Sequence, residues 1–364
     1  MAKVSPFIEK LKPYVPGKSI EELRRETGQQ EIIKLASNEN PIGPSPKAVE
    51  AIQKALQEIH RYPDDGFCLK EQIAKRFQIK PENVILGNGS DSLMLAIVRA
   101  FVTEGGEVLT SECSFAQYTL MPLSRGACVK YAPMKNWRYD LSAIADGITP
   151  KTEVIFLANP NNPTGTIFTK KEWEVFYARV PFEVLIVCDE AYAEFVFDHP
   201  DWPDSMQYRY DNVITLRTFS KAYGLAGIRL GYGMAHGSWL KELYKVKLPF
   251  EPSVVALAAG TAALTDEVFL REYVSLVKTG RSYYEGRLKK IGVPFAPSVA
   301  NFVMVDFGTA QTASLVNRFL LKNGIIIRPL DACGLPNAAR ITVGLPDENK
   351  KCMDGIEEAL CGKS

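Results

Sequence analysis

From about residue 46 to 235, short β-branched or aliphatic runs alternate with amphipathic stretches along the chain. "NVILG", "EVLTS", "CVKYA", "EVIFLA", "EVLIVCDEAY" and "VITLRT" read as strands, because four to eight apolar, β-branched residues between polar turns suit a buried pleat. "SDSLMLAIVRAF" changes the period: Leu93, Ile97 and Phe101 fall on one helical face, with Ser90 or Asp91 as the N-cap. Strands alternating with helices predict an α/β unit with a mostly parallel sheet. Beyond about residue 250 the pattern becomes a long helical run, "ALTDEVFLREYVSLVKTGRSYYEGRLKKI", then the shorter strands "NFVMVDF", "GIIIRPL" and "ARITVGL". That change predicts a second, smaller α+β domain. The division is 1–40 as a proline-interrupted arm packed on the smaller domain, 41–250 as the large domain and 251–364 as the small one. The arm's proline-rich "LKPYVPGK" has no need to be helical. No internal repeat and no low-complexity tract interrupts this plan.

Composition narrows the function classes. The 364 residues suffice for one large and one small core. Lys and Arg number 43 against 42 Asp and Glu, so no overall field draws the chain to nucleic acid or to an anionic membrane. The seven cysteines form no C-x-x-C pair and are odd in number, which fits a reducing compartment, the cytoplasm by default. The three histidines, His60, His199 and His236, have no partner at metal-ligand spacing, so no metal site is expected. The opening residues mix charge and proline with apolar positions, unlike a secretory leader, and no apolar run is long enough to span a bilayer.

Four segments end near the expected carboxyl edge of the sheet, where open α/β folds collect ligands. "LGNGSDS" runs from a strand through two glycines to a helix N-terminus, whose N–H groups suit a phosphate; an ordinary strand-to-helix turn looks the same. "NPNNPTG" packs two X-Pro steps into a rigid turn, with a cis bond expected at Asn162-Pro163. In "VCDEAYAEF", Asp189 ends an apolar strand, either capping the next helix or pairing with a cationic ring nitrogen, and Tyr192 follows it. In "RTFSKAYGLAGIRLGY", Lys221 stands among small and apolar residues, with Arg229 the next charge. A sequestered amine can condense with an aldehyde, and the chemistry then wants an acid to keep a pyridine nitrogen protonated. Lys221 and Asp189 supply that pair, while Thr218, Ser220, Arg229 and the helix end at Ser90 can surround one phosphate.

"LASNENPIGPSP", "RYPD", "GNGSD", "NPNNPTG", "CDEAYAEF", "TFSKAYGLAGIRLGY", "SVANFVMV" and "ARITVG", taken together, resemble the fold-type I pyridoxal-phosphate aminotransferases of class I/II, and among them most closely the histidinol-phosphate aminotransferases. The resemblance implies a seven-stranded-type sheet flanked by helices and a pyridoxal 5′-phosphate cofactor. It makes Lys221 the residue that carries the cofactor aldehyde, Asp189 the partner of the pyridine nitrogen, and Asn162 and Tyr192 the partners of the ring hydroxyl. Phe115 stacks on the ring, and Ser90, Asp91, Thr218, Ser220 and Arg229 form the phosphate cup. Tyr62, in "RYPD", resembles the tyrosine that reaches the cofactor phosphate of a partner subunit, which implies a homodimer. Asn38, Arg328, Arg340 and Tyr14 contact the substrate, with Tyr14 folded over its phosphate. The implied reaction is ping-pong transfer of an amino group from L-histidinol phosphate to 2-oxoglutarate in histidine biosynthesis. Cys113 stands where the family often has proline, and Ser92 where it often has an acid.

Two readings within the cofactor family share these motifs: an aromatic amino-acid aminotransferase and an L-threonine-phosphate decarboxylase. From another class, a nicotinamide-dependent oxidoreductase would use "GNGSDS" with Glu112 as its ribose acid. It lacks the third small residue, where Ser92 stands, and gives Asp189, Asn162 and Lys221 nothing to do.

Overall fold

Apolar runs with nowhere to hide but a sheet centre become the middle of this molecule. The computed structural model describes residues 3–13, 16–209 and 211–362. Its central sheet has seven strands: β1 Val84–Gly87, β2 Glu107–Ser111, β3 Cys128–Ala132, β4 Thr152–Ala158, β5 Leu185–Asp189, β6 Val213–Thr218 and β7 Gly231–Met234. Their spatial order is β1-β7-β6-β5-β4-β2-β3. Every neighbouring pair is parallel except the two made by β7, which runs antiparallel between β1 and β6. Ala158 lies beside Asp189, and Gly231 between Gly87 and Thr218, so β1, β4, β5 and β6 all present their carboxyl ends at one edge.

Strand β7 escapes a reading based on β-branched runs because its sequence is "GYGM". Its glycines are there for space: a Cβ on Gly231 would sit 2.4 Å from the Ser90 nitrogen, and one on Gly233 3.0 Å from Ile85. Only glycine lets this strand press against the helix Gly89–Phe101 that follows β1. That helix corrects one expectation. Asn88 occupies the N-cap with no side-chain capping bond, so Ser90 and Asp91 lie inside the first turn and do not cap it. Leu93 and Ile97 are buried as their spacing requires, and Phe101 packs edge-on against Trp239.

The C-terminal pattern also resolves more finely. The long helical run from Ala263 becomes the helix Glu267–Lys290, and a separate helix, Val254–Leu264, ends at the run's second residue. "GIIIRPL" serves two sheets: Ile325–Ile326 pairs in parallel with Ile33–Lys34, whereas β9, Arg328–Leu330, joins a three-stranded antiparallel sheet. That sheet is ordered β8-β10-β9, with β8 Phe302–Asp306 and β10 Leu335–Thr342, and helices Ala310–Lys322 and Pro346–Cys361 pack on it. Leu35 bridges the two sheets, its N–H donating to the Ile326 carbonyl and its carbonyl accepting from Thr342 N–H.

Residues 16–40 are not plain coil. Helix Ile20–Thr27 carries a reciprocal capping box between Ser19 and Glu22 and stops at Gly28, which takes the left-handed conformation favoured after a helix. Its one fully buried residue, Leu23, packs with Ala36 and Ile326. Charge on every other face hides this helix from a periodicity reading. "LKPYVPGK" itself is not helical over its described residues.

Candidate active site

At the carboxyl edge of the sheet lies a cleft of about 610 Å³, counting the part open to solvent. Ten of the residues singled out from sequence line it together: Ser90, Asp91, Phe115, Asn162, Asp189, Tyr192, Thr218, Ser220, Lys221 and Arg229. The sheet topology does this work, since the strand order sets the ends of β6 and β5 side by side and leaves only β7 between β6 and β1.

One end of the cleft is built for an anion. Thr218 Oγ1 lies 3.0 Å from Ser220 Oγ and accepts the Ser220 N–H at 3.1 Å. Arg229 Nη1 reaches Ser220 Oγ at 3.4 Å, and its Nη2 lies 3.5 Å from Asp91 Oδ2. A Cβ on Gly89 would come within 2.6 Å of that guanidinium, so glycine is what allows the arginine to lie over the helix end. Two hydroxyls, a guanidinium and the uncapped first turn of Gly89–Phe101 form a donor set for phosphate oxygens.

At the other side, Asp189 ends β5 and is 6% exposed. Its Oδ1 accepts the Ala191 N–H at 3.1 Å and its Oδ2 accepts the Tyr118 hydroxyl at 2.6 Å. Burial pushes this carboxyl up to about 6 against the Tyr118 hydrogen bond, which pulls it down; Asp91 adds to the rise, and the Ala191 N–H and Lys221 oppose it. The helix-cap reading is not met: Tyr192 is the N-cap of the next helical turn, Ala193–Phe195, while Asp189 Oδ1 closes a short turn at Ala191.

Lys221 follows the Thr218–Ser220 turn. Its Nζ donates to the Ser37 carbonyl at 3.3 Å and sits 5.9 Å from the centre of the Tyr192 ring. Burial, then the positive charge of Arg340, push the amine down to about 8, with Arg229 acting in the same sense and Glu39 and Asp91 opposing. A lysine that sheds its proton near neutral pH is a usable nucleophile and base.

Both X-Pro bonds of "NPNNPTG" are cis, Asn159-Pro160 as well as the expected Asn162-Pro163. The turn aims Asn162 into the cleft, where its Oδ1 accepts from Arg340 Nη1. Arg340 Nη2 donates to the Ala36 carbonyl at 2.6 Å. Asn38 is buried, donates to the Tyr192 hydroxyl at 2.8 Å, and is held by Thr342 and Asn301. Arg328 lies directly opposite Arg340 in the β9–β10 register, so two guanidiniums share one face.

Two predicted residues do not join this assembly. Tyr62 is 78% exposed, stacks on Phe250 at 4.1 Å and lies off its own chain's cleft. Tyr14 lies outside the described residues. Sequence reasoning missed Tyr118, whose signal was its place three residues after Phe115, at the head of helix Gln117–Ser124. Glu112, the ribose acid of the oxidoreductase reading, is exposed and away from the cleft.

Known proteins place this geometry in a family. Residues 30–355 match the family model "Aminotransferase class I and II". A histidinol-phosphate aminotransferase of Anaeromyxobacter sp. (strain Fw109-5) is 44% identical over 364 residues, covering 99% of this chain and 100% of the relative. One from Carboxydothermus hydrogenoformans is 42% identical over 98% of this chain and 99% of its own length. Among solved structures, the histidinol-phosphate aminotransferase of Sinorhizobium meliloti, in complex with pyridoxal-5′-phosphate, superposes with a TM-score of 0.92 at 29% identity, covering 100% of this chain and 99% of that one. A Thermus thermophilus aspartate aminotransferase variant shares the fold, with a TM-score of 0.85 at 20% identity over 99% of this chain and 100% of its own. The chain therefore belongs to the class I and II aminotransferases, in the histidinol-phosphate aminotransferase family.

Proposed function

We propose that this chain transfers the amino group of L-histidinol phosphate to 2-oxoglutarate in a ping-pong cycle, with pyridoxal 5′-phosphate as cofactor, as a step of histidine biosynthesis. The observation that carries the reading is the meeting of three different chemistries in one cleft: an amine of lowered basicity, a buried carboxylate and a phosphate-binding cluster. That donor set fits one molecule with an aldehyde, a basic ring nitrogen and a phosphate. Ser90, Thr218, Ser220, Arg229 and the first turn of Gly89–Phe101 hold the phosphate. Asp91 orients Arg229, Asp189 holds the proton on the ring nitrogen, and Phe115 packs against the ring face. Asn162 and Tyr192 bind the ring hydroxyl; the Asn38 hydrogen bond turns the Tyr192 proton away from Asn38. When bound, the cofactor supplies a carrier for the nitrogen and a sink for the electron pair released at the substrate's α-carbon. Lys221 Nζ takes and returns the proton at that carbon, a task suited to an amine whose basicity burial has lowered.

The chain's two lobes, 41–250 and 251–364 with the 1–40 arm, enclose the substrate between them. Arg340 and Arg328 on the smaller lobe bind its anionic group, and Tyr14, outside the described residues, is a further hydroxyl donor for the phosphate. A phosphate monoester carries enough charge to engage two guanidiniums, whereas a monocarboxylate needs one. Arg328→Ala is therefore expected to lower kcat/KM for L-histidinol phosphate about tenfold or more, the value of one charge-assisted hydrogen bond, and to leave phenylalanine nearly unchanged. Equal losses for both donors would assign Arg328 to the scaffold. Tyr62, exposed and stacked on exposed Phe250, reaches the cleft of a second copy, which makes the working unit a homodimer. Cysteine usage supports a cytoplasmic enzyme. No helix among the described residues is long and apolar enough to cross a membrane.

A further inference from the structure

The Asp189 carboxylate faces the cleft in a fixed orientation, and something has to fix it. The Ala191 N–H holds Oδ1, but a single hydrogen bond still leaves the group free to swing about it. The second restraint is the phenol of Tyr118, 1% exposed, 2.6 Å from Oδ2. Its ring is locked in place, stacked parallel on Phe156 at 5.2 Å and edge-on to Phe115 at 5.6 Å. One side chain thus touches both the residue that packs on the cofactor ring and the acid that faces its nitrogen.

We infer that Tyr118 is a positioning residue for Asp189, whose hydroxyl fixes the plane of the carboxylate and keeps it charged toward the ring nitrogen. This rests on the reading of Asp189 given above. The charge balance supports it. The Tyr118 hydrogen bond is the largest influence pulling the Asp189 carboxyl down against burial, ahead of the Ala191 N–H and Lys221, while Asp91 pushes it up. Burial and the adjacent carboxylate hold the Tyr118 phenol well above its ordinary range, so it remains a donor across the working pH range. Two other titratable groups feel the Asp189 charge, Tyr139 and Cys188, the latter preceding it in β5 and so directed to the opposite face of the sheet. Neither can take over: the Tyr139 hydroxyl is engaged with Ser114 at 2.6 Å and the Ala158 N–H at 3.3 Å, and Cys188 is a buried thiol raised well above its ordinary value.

Tyr118→Phe keeps the ring and its packing and removes only the donor. We expect kcat to fall about tenfold with the donor KM within about twofold, and the acid limb of the kcat profile to move up by about one pH unit, the loss of one hydrogen bond to a charged group. The decisive readout is ¹⁵N NMR of holoenzyme loaded with ring-nitrogen-labelled cofactor. In wild type the nitrogen should stay protonated to higher pH than in Tyr118→Phe, with Asp189→Asn losing the proton more completely than either. If Tyr118→Phe titrates with the wild type while Asp189→Asn does not, Tyr118 is packing alone and the inference is wrong. If Asp189→Asn itself leaves the nitrogen protonated, the role of Asp189 fails and the inference goes with it.

Discussion

Lys221→Ala is expected to lose transamination by about 10⁴-fold or more, because it removes both the covalent attachment point and the base. The fold should survive. Lys221 Nζ makes one hydrogen bond, to the Ser37 carbonyl, and Arg340 and Arg229 repel its charge, so the variant should melt at or slightly above the wild-type temperature. Absorbance spectra should show the cofactor taken up without the wild-type visible band, since the phosphate cluster is untouched. Mixed with Tyr62→Phe, the alanine variant should form hybrid dimers whose two clefts differ in cofactor retention. A Lys221→Ala protein that turns over near the wild-type rate would remove this lysine from the chemistry.

The second large effect belongs to Asp189→Asn. A neutral amide cannot hold a proton on the ring nitrogen, so the electron sink weakens and single-turnover rates should drop by about 10²-fold or more, while the cofactor stays bound by Thr218, Ser220 and Arg229. The amide also fits poorly: Tyr118 and the Ala191 N–H both donate to this side chain, and one of them would meet an NH₂ group. The pH dependence carries the same signature. Burial raises the carboxyl to about 6, so it is charged above that value and neutral below it. Cofactor uptake by wild-type apoenzyme should therefore weaken as pH falls through about 6 more steeply than uptake by Asp189→Asn. Unchanged single-turnover rates in the variant would reduce Asp189 to a residue that closes a turn.

Much of this cleft was legible because its residues sit where strands end. A run such as "VIFLA" or "VLIVCD" announces its own termination, and whatever polar residue follows lands at the carboxyl edge. That logic found Asp189, Asn162, Thr218 and Lys221 without coordinates. It failed where structure depends on a partner far along the chain. Strand β7 is written in glycine because it must lie against Ser90, and no local pattern says so. The single strand expected at "GIIIRPL" splits because its first half pairs with residues 33–34, some 290 positions earlier. Tyr118 looks like an ordinary apolar helix residue until its hydroxyl is seen against an acid 71 residues away. The cap expected at Ser90 or Asp91 lies two or three residues earlier, at Asn88: the helix begins at Gly89, whose missing side chain makes room for Arg229.

The identity of the amino donor is the central claim, and steady-state kcat/KM of the wild-type enzyme tests it most directly. L-histidinol phosphate, phenylalanine, tyrosine and L-threonine phosphate would each be offered with 2-oxoglutarate, while glutamate and CO₂ are assayed in parallel. The paired arginines of β9 and β10 predict that L-histidinol phosphate is preferred by about tenfold or more, with glutamate formed and no CO₂. A higher kcat/KM for phenylalanine or tyrosine, or CO₂ released from L-threonine phosphate, would contradict it.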